Sequence, residues 1–326
     1  MNKEILINQV IGILEKCGFS VSERCNIRPR SFDIATRSDE KLLLIKVISN
    51  VDGLNESTAE EMRLLAEYLN GSPLIIAEKT RDHPLESSVV YYRYSLPSIN
   101  IETFYDYFIK DFPPIAYAAP GGLYVGIDGR LLRDIRIRNN LSIGALAAEL
   151  GVSRRAISKY EEEEMDMSVD MVLRLDEIFN ETIATVIDFL HTKKSSRTSK
   201  AKPAETQLGI NIKYMLTDLG FDVIPISQAP FNAVSSEHMD NTNKKSVITI
   251  LTGYSDYSGA MLKRAKLMSS ISEVTNTQSM FIINGPCKSE HVDNTALVEK
   301  KELKAMDDFE DLINYIYEKI PHTQIF

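Results

Sequence analysis

The sequence predicts a multidomain fold that is part α/β and part all-α, in which two related α/β domains flank a helical domain. Residues 1–112 alternate helix and strand patterns, residues 130–190 carry helical patterns throughout, and residues 207–326 repeat the order of the first segment. A length of 326 residues is enough for two or three domains.

The first segment, residues 1–112 (the first α/β domain), alternates two kinds of apolar periodicity. Helical patterns are expected over about 3–17, over 57–69 with Ser57 or Thr58 as N-cap, and over 101–109. Strands are expected in the apolar runs at 19–27, 31–36, 41–49, 74–77 and 89–94. This order predicts a mixed sheet with helices on its faces.

Two segments are expected to connect domains. Residues 113–129 are rich in proline and glycine, which predicts a linker with one short strand at 124–127. Residues 191–206 are rich in serine, threonine and lysine and lack periodicity, which predicts a basic flexible linker.

The last segment, residues 207–326 (the second α/β domain), matches the first in short pieces. LEKCGFSV at 14–21 corresponds to LTDLGFDV at 216–223, and LLLIKV at 42–47 corresponds to VITILT at 247–252. Few residues are identical, but the order and spacing of the pieces agree. The sequence therefore predicts a diverged internal duplication.

Composition restricts the class of protein. The three cysteines form no CxxC pair, which argues against a disulfide scaffold and against a thiolate zinc site. No apolar run approaches the ~20 residues of a membrane span. We therefore expect a cytoplasmic protein with no membrane contact, no metal and no cofactor.

Charge is distributed unevenly along the chain. The formal net charge is −9, which disfavours steering toward a polyanion. Residues 130–160, however, hold seven basic side chains against Asp134 and Glu149, and residues 192–203 hold five basic side chains and no acidic one. A nucleic-acid site would have to use such a local basic patch.

The segment Ser142–Glu161, SIGALAAELGVSRRAISKYE, has the spacing of two helices joined by a tight turn. Ser142 and Ser153 are suitable N-caps, and Gly151 can adopt the positive φ that a sharp helix ending needs. Ala147 is small enough for a close helix crossing, and Ile157 lies beneath that crossing.

This arrangement resembles the helix-turn-helix domains of the phage repressor and Cro family, also described as lambda-repressor-like. The resemblance implies a domain at 130–190 with Leu131–Asn139 as first helix, Ser168–Phe179 as fourth with Ile178 buried, and Glu181–Leu190 as fifth. The whole chain also resembles an archaeal family of helix-turn-helix transcriptional regulators.

The resemblance implies that a recognition helix at about 153–162 enters the major groove of DNA. Its exposed side chains would contact bases, its caps and nearby arginines would contact phosphates, and arginine suits guanine in particular. The expected DNA-binding residues are Ser142, Ser153, Arg154, Arg155, Ser158 and Lys159, with Arg133, Arg136 and Arg138 as phosphate partners.

Two features depart from the family pattern. Ile143 stands where the family often has a glutamine that touches the DNA backbone. The acidic run Glu161–Glu164 follows the recognition helix. Three interpretations stay open. These carboxylates point away from DNA, or they lower the affinity of the protein for DNA and make binding depend more on dimerisation, or the domain binds a protein instead.

The first α/β domain also resembles the restriction-endonuclease-like fold, whose active site pairs an acidic residue on one strand with D/E-x-K on the next. Asp33 and Lys46 match two of these positions, but Leu44 stands where the metal needs a second carboxylate. The second α/β domain has FNAVS and VITIL at the corresponding places. Both domains are therefore expected to be catalytically degenerate.

These observations predict a regulator that binds double-stranded DNA as a homodimer and is not an enzyme. The α/β domains would serve dimerisation or the sensing of a small-molecule effector. The alternatives are a metal-dependent nuclease with a DNA-targeting domain and a protein-interaction adaptor.

Overall fold

The computed structural model describes residues 3–39, 41–190, 206–237 and 248–320. The chain forms two compact units. Unit 1 comprises Met1–Ile13, Ile48–Gly53 and Ile75–Thr192, and unit 2 comprises Leu14–Val47, Leu54–Leu74 and Lys193–Phe326. Among the described residues, no helix is both long and apolar enough to span a bilayer.

The first α/β domain follows the predicted alternation of helices and strands. Its α2 is capped by Asn55, whose side chain accepts a hydrogen bond from the amide of Thr58 at 2.8 Å. The expected cap at Ser57 or Thr58 is therefore wrong. The helix still begins at a polar side chain that accepts a hydrogen bond from a free amide of the first turn. The elements of this domain are α1 (Lys3–Lys16), β1 (Ser20–Val21), β2 (Ile34–Ser38), β3 (Lys41–Asn50), α2 (Glu56–Tyr68), β4 (Ser72–Lys79), β5 (Val89–Arg93), β6 (Leu96–Ile99) and α3 (Ile101–Ile109).

Two strands differ from the prediction. Only Ser20–Val21 of the run at 19–27 pairs as a strand. Strand β6 was not predicted, because its turn with β5 lacks the usual Asn-Gly or Asp-Gly signal. Tyr94 and Ser95 make this turn, with φ of 50° and 62°.

The expected linker at 113–129 is instead part of a sheet. It contains β7 (Ala116–Ala119) and β8 (Gly122–Val125), which form an antiparallel hairpin. Strand β7 pairs in parallel with β5 through Val89 and Ala116. Pro120 and Gly121, the latter with a φ of 100°, build the hairpin turn between β7 and β8.

The helical domain contains the predicted repressor-like helices. These are α4 (Gly129–Arg138), α5 (Ile143–Leu150), α6 (Arg154–Glu161) and α7 (Val169–Phe179), with the short strand β9 (Met167–Ser168) pairing with β8. Their core includes Leu132, Leu146, Ile157 and Leu175, and Val89 of β5 belongs to the same cluster. The helical domain and β5 therefore share one hydrophobic core in unit 1.

The expected fifth helix at Glu181–Leu190 is not formed. Asn180 ends α7 in the left-handed conformation, with a φ of 51°. Beyond it the backbone is extended, and Thr185 donates to the carbonyl of Gly126 at 2.8 Å while Ile187 donates to that of Pro114 at 2.9 Å. The many β-branched residues of this segment favour extended pairing over a helix.

The expected burial of Ile178 is also wrong. Its side chain is 37% exposed, whereas Val172 and Leu175 on the same helix are buried as predicted. With the segment after Asn180 extended, no fifth helix covers this side of α7.

The second α/β domain repeats the topology of the first. Its sheet has the order β10-β11-β12-β13-β15-β14, and the first domain has the order β1-β2-β3-β4-β6-β5. Identical strand order supports the predicted duplication. Its elements are α8 (Gln207–Asp218), β10 (Phe221–Pro225), β11 (Ala233–Glu237), β12 (Thr249–Ser255), α9 (Gly259–Thr275), β13 (Gln278–Ile283), β14 (His291–Val292), β15 (Thr295–Glu299), α10 (Lys300–Leu303) and α11 (Phe309–Lys319).

The linker predicted at 191–206 lies almost wholly outside the described residues. Only Thr206 is described, and its side chain caps α8 by accepting from the amide of Gly209 at 3.2 Å. The flexibility of this segment stays a prediction.

We predict that Gly129→Ala destabilises the helical domain. A Cβ at Gly129 would touch the carbonyl oxygen of Tyr160 and lie 2.8 Å from that of Glu161. Because backbone cannot yield as a side chain can, the substitution should cost about 1–3 kcal/mol. Urea unfolding should show a lower midpoint.

Gly12→Ala is the matched control, because a Cβ at Gly12 in α1 meets nothing within 4 Å. This substitution should leave stability unchanged or raise it by about 0.5–1 kcal/mol, since alanine favours a helix. Equal midpoints for the two variants would contradict the predicted contact between α4 and the end of α6.

Candidate nucleic-acid interface

The helix-turn-helix has the predicted backbone geometry. Ser142 caps α5 by accepting from Ala145 N at 3.0 Å, and Ser153 caps α6 by accepting from Ala156 N at 3.1 Å. Gly151 ends α5 with a φ of 70°. The amide of Val152 then donates to the carbonyl of Ala147 at 2.9 Å, which closes the turn between the helices.

The second helix of the motif, α6, has one buried face and one accessible face. Ile157 is fully buried and Tyr160 is 7% exposed. Arg154 and Arg155 are exposed at the beginning of the helix. Ser158 and Lys159, the other predicted base contacts, are only half-buried. The predicted DNA-binding side chains on α6 are thus all on its accessible side.

Arg154 lies across the first turn of α5. A Cβ at Gly144 would be 2.9 Å from Nε of Arg154 and 3.1 Å from Nη2. The guanidinium therefore rests on the backbone of Gly144, where no side chain intervenes. Arg154 is consequently positioned where the two helices of the motif meet.

Arg136 has a structural role that sequence reasoning missed. Its side chain is buried, and Nε and Nη2 donate to the carboxylate of Glu161 at 2.5 and 3.0 Å. Nη1 donates to the carbonyl of Leu141 at 2.9 Å. The hydrogen bonds that Arg136 donates to the carboxylate of Glu161 raise the pKa of Arg136. The prediction that Arg136 contacts phosphate is wrong, because its nitrogens are used inside the domain.

The two remaining predicted phosphate partners differ from each other. Arg138 forms an ion pair with Glu181 at 2.8 Å, and both side chains are partly exposed. Arg133 is exposed on α4, and no hydrogen bond or ion pair engages it within the described part of the chain. The guanidinium of Arg133 is therefore available to a phosphate. That of Arg138 would first have to exchange its solvent-accessible ion pair with Glu181 for one with a phosphate.

The acidic run after α6 does not act as one unit. Glu161 is engaged by Arg136, whereas Glu162, Glu163 and Glu164 are exposed. Helix α6 ends when Glu163 adopts a φ of 58° and Glu164 N donates to the carbonyl of Lys159 at 2.9 Å. A helix rises about 1.5 Å per residue, so the backbone of Glu162, the C-cap of α6, lies roughly 12 Å along the axis from that of Arg154.

Ile143 packs against the hydrophobic core of the helical domain and is half-buried. Its side chain thus stabilises the first turn of α5 from the inside. The backbone contact that the family's glutamine makes has no equivalent at this position.

The site expected from the restriction-endonuclease-like pattern lies in unit 2. The pairing of Ile34 with Ile45 places Asp33 opposite Lys46 on neighbouring strands, and Leu44 follows on the same face. Asp33 is fully buried and accepts from Arg30 Nε at 2.8 Å and from Val47 N at 2.8 Å. The ammonium of Lys46 donates to the carbonyl of Arg30 at 2.9 Å.

This arrangement does not suit a divalent metal ion. Both oxygens of Asp33 are already occupied, and the fully buried Leu44 supplies no second carboxylate. Among the described residues, no group of three histidine, cysteine or acidic side chains lies close enough to hold a metal.

Comparisons with known proteins agree with this geometry. Residues 3–114 match a family model described as a PD-(D/E)XK superfamily domain, and residues 132–186 match a helix-turn-helix model. No solved structure gives a significant match to the chain.

Relatives cover nearly the whole chain. A protein of Methanosarcina barkeri is 51% identical, with 98% of each chain covered, and one of Methanococcoides burtonii is 51% identical with the same coverage. A protein of Natronomonas pharaonis is 42% identical over 98% of this chain and 99% of its own. All three are named "putative HTH-type transcriptional regulatory protein". The chain therefore belongs to this family of HTH-type transcriptional regulatory proteins.

Proposed function

We propose that the chain is a sequence-specific DNA-binding transcriptional regulator that inserts α6 into the major groove. The observation that supports this function is the geometry of α5 and α6. Gly151 and the two serine caps fix the turn, and Arg154 and Arg155 are exposed where a recognition helix meets base edges.

The side chains of α6 suit distinct roles in the complex. Arg154 and Arg155 would donate bidentate hydrogen bonds to guanine, and Ser158 and Lys159 would contact the next bases along the groove. The hydroxyl oxygens of Ser142 and Ser153 accept from their own helices, which leaves each hydroxyl proton free to donate to a phosphate. Arg133 and Arg138 would add phosphate contacts.

We further propose that the regulator acts in the cytoplasm as a homodimer. One recognition helix contacts few base pairs, so two half-sites about 34 Å apart would supply affinity and specificity. The α/β domains would position the two recognition helices or respond to a small-molecule effector.

We propose that the chain has no nuclease activity. Its PD-(D/E)XK domain preserves Asp33 and Lys46 but not the acidic residue at position 44, and Arg30 takes the place next to Asp33 that a cation would need. Asp33 and Lys46 would instead fix the loop before β2.

We predict that replacing Arg154 and Arg155 by alanine abolishes the base preference of the protein. Each bidentate arginine contributes about 1–3 kcal/mol of discrimination. Binding-site selection from a random DNA pool, followed by affinity measurements at fixed salt, should show a loss of about 10- to 100-fold or more on the selected site. The loss on unrelated DNA should be smaller, because there only the two positive charges are missing.

Arg133→Ala is the control for this experiment, because Arg133 is exposed and lies outside α6. It should weaken binding to all sequences alike and leave the selected sequence unchanged. If the double variant selects the same sequence as the wild type, the base contacts assigned to α6 are wrong. If the wild type selects none, the adaptor alternative replaces the regulator.

We predict that replacing Glu162, Glu163 and Glu164 by glutamine tightens DNA binding at low salt. Their carboxylates are exposed and unpaired by any described side chain, so each lowers the local positive potential. A charge pair near 4 Å in water is worth ~1 kcal/mol, so the gain should be about fivefold or less. The gain should disappear as salt shortens the Debye length.

The control is Glu177→Gln, which neutralises an exposed carboxylate on α7 and should have a smaller effect on DNA binding. Unchanged affinity at 10 mM salt would show that the run faces away from DNA.

We predict that the wild-type protein leaves plasmid DNA intact in Mg²⁺ or Mn²⁺, and that Asp33→Ala is strongly destabilised. Removing Asp33 leaves a buried arginine unpaired, which typically costs about 3–5 kcal/mol. Urea unfolding should show this loss, whereas Asp218→Ala, at the exposed end of α8, should not. Metal-dependent cleavage by the wild type that Asp33→Asn abolishes would refute this assignment.

A further inference from the structure

The two α/β domains contact each other within unit 2. The carboxylate of Glu61 on α2 accepts from the amide and the hydroxyl of Ser227 at 3.0 and 2.5 Å, and from the amide of Gln228. The side chain of Gln228 accepts from Thr58 Oγ1 at 2.7 Å. Helix α2 of the first domain thus binds the loop between β10 and β11 of the second.

A second set of contacts runs in the opposite direction. Arg37 on β2 donates from Nε to the carbonyl of Val274 at 2.7 Å and from Nη2 to that of Thr275 at 3.0 Å. The amide of Glu23 donates to Ser270 Oγ at 2.7 Å. Helix α9 of the second domain thus binds the β1–β2 region of the first.

These two sets of contacts use equivalent elements. By strand order, α2 corresponds to α9, and the pair β1–β2 corresponds to β10–β11. Each domain therefore presents the same helix to the same hairpin of the other, which is the pattern of an isologous interface. The two hairpin loops meet where the amide and hydroxyl of Ser31 donate to the carbonyl of Gln228 at 2.7 and 3.0 Å.

One residue at the position of the degenerate nuclease site, Asp33 in the first domain and Asn232 in the second, holds the hairpin loop through hydrogen bonds. Asp33 donates its amide to Ile45 O at 2.8 Å, and Asn232 donates its amide to Thr252 O at 2.8 Å. In both domains a backbone amide of the next strand donates a hydrogen bond to the side chain of this residue. Val47 N donates to Asp33, and Tyr254 N donates to Asn232 Oδ1 at 3.0 Å. Asn232 is therefore the equivalent of Asp33, with an amide in place of the acid.

In each domain an arginine donates a further hydrogen bond to this residue. In the first domain Arg30 donates to Asp33, and its own carbonyl accepts from Lys46. In the second domain Arg264 donates to Asn232 Oδ1 at 2.8 Å and to the carbonyl of Pro230 at 2.7 Å. Different residues thus hold the same loop in each domain, immediately beside the contact between Ser31 and Gln228.

We propose that the two α/β domains are a homodimer fused into one chain, whose pairing loops are held by the residues at the former nuclease position. The isologous surface is complete once two domains have met, so a third domain has no place on it. Dimerisation of the regulator must then use surfaces other than this one. The inference is independent of DNA binding.

The test uses the full chain with a protease site inserted between residues 196 and 197. After cleavage, the two fragments should remain together as one 1:1 species in sedimentation velocity. Glu61→Arg should weaken the association of the cut fragments about tenfold or more, because it removes the charged acceptor of three hydrogen bonds. Gln228→Ala should weaken it about fivefold, because it removes only the side-chain hydrogen bonds with Thr58 and Ser57. The control is Glu318→Arg, which reverses an exposed charge on α11 and should change nothing.

The uncut chain supplies the second measurement. Its oligomeric state across a concentration series should be the same for the wild type, Glu61→Arg and Gln228→Ala. A lower oligomeric state in either variant would show that the domains pair between chains and would overturn the proposal. So would separation of the wild-type fragments after cleavage, or fragments of both variants that stay as tightly bound as the wild type.

Discussion

The buried ion pair between Arg136 and Glu161 is the contact on which the DNA-binding domain depends. It joins α4 to the last residue of α6, and the side chains are only 10% and 8% exposed. A buried pair of this kind contributes little net stability, but removing one partner costs about 3–5 kcal/mol because the other charge is left unpaired. The pair therefore fixes the orientation of α6 more than it strengthens the fold.

The helical domain is attached to strand β5, which lies in the same unit, by a sheet and a shared core. Strand β7 extends the sheet at β5, and Val89 packs in the same cluster as Ile157. Main-chain hydrogen bonds and a common core restrict motion far more than a flexible linker would. A change at β5 can thus alter the position of α6 without any change in the motif itself.

Features set by neighbouring residues could be predicted from the sequence, whereas features set by contacts between distant residues could not. The caps at Ser142 and Ser153 and the turn at Gly151 follow from residues within one helical turn, so short-range patterns predict them well. The extended segment after Asn180 pairs with Gly126 and Pro114, more than 50 residues away in the chain. Periodicity cannot detect such a partner, and Arg136 was misassigned for the same reason.

Electrostatics then sets how α6 can approach DNA. Arg136 and Glu161 neutralise each other inside the domain, so the accessible charge is positive on α6, at Arg154, Arg155 and Lys159, and negative directly after it, at Glu162–Glu164. A separation of roughly 12 Å along the helix exceeds the Debye length of about 8 Å at physiological ionic strength. Arg154 and Arg155 can therefore contact the groove while the acidic run is largely screened from them, when the helix enters by its N-terminus. The net charge of −9 is compatible with DNA binding for this reason, because position along one helix matters more than the total.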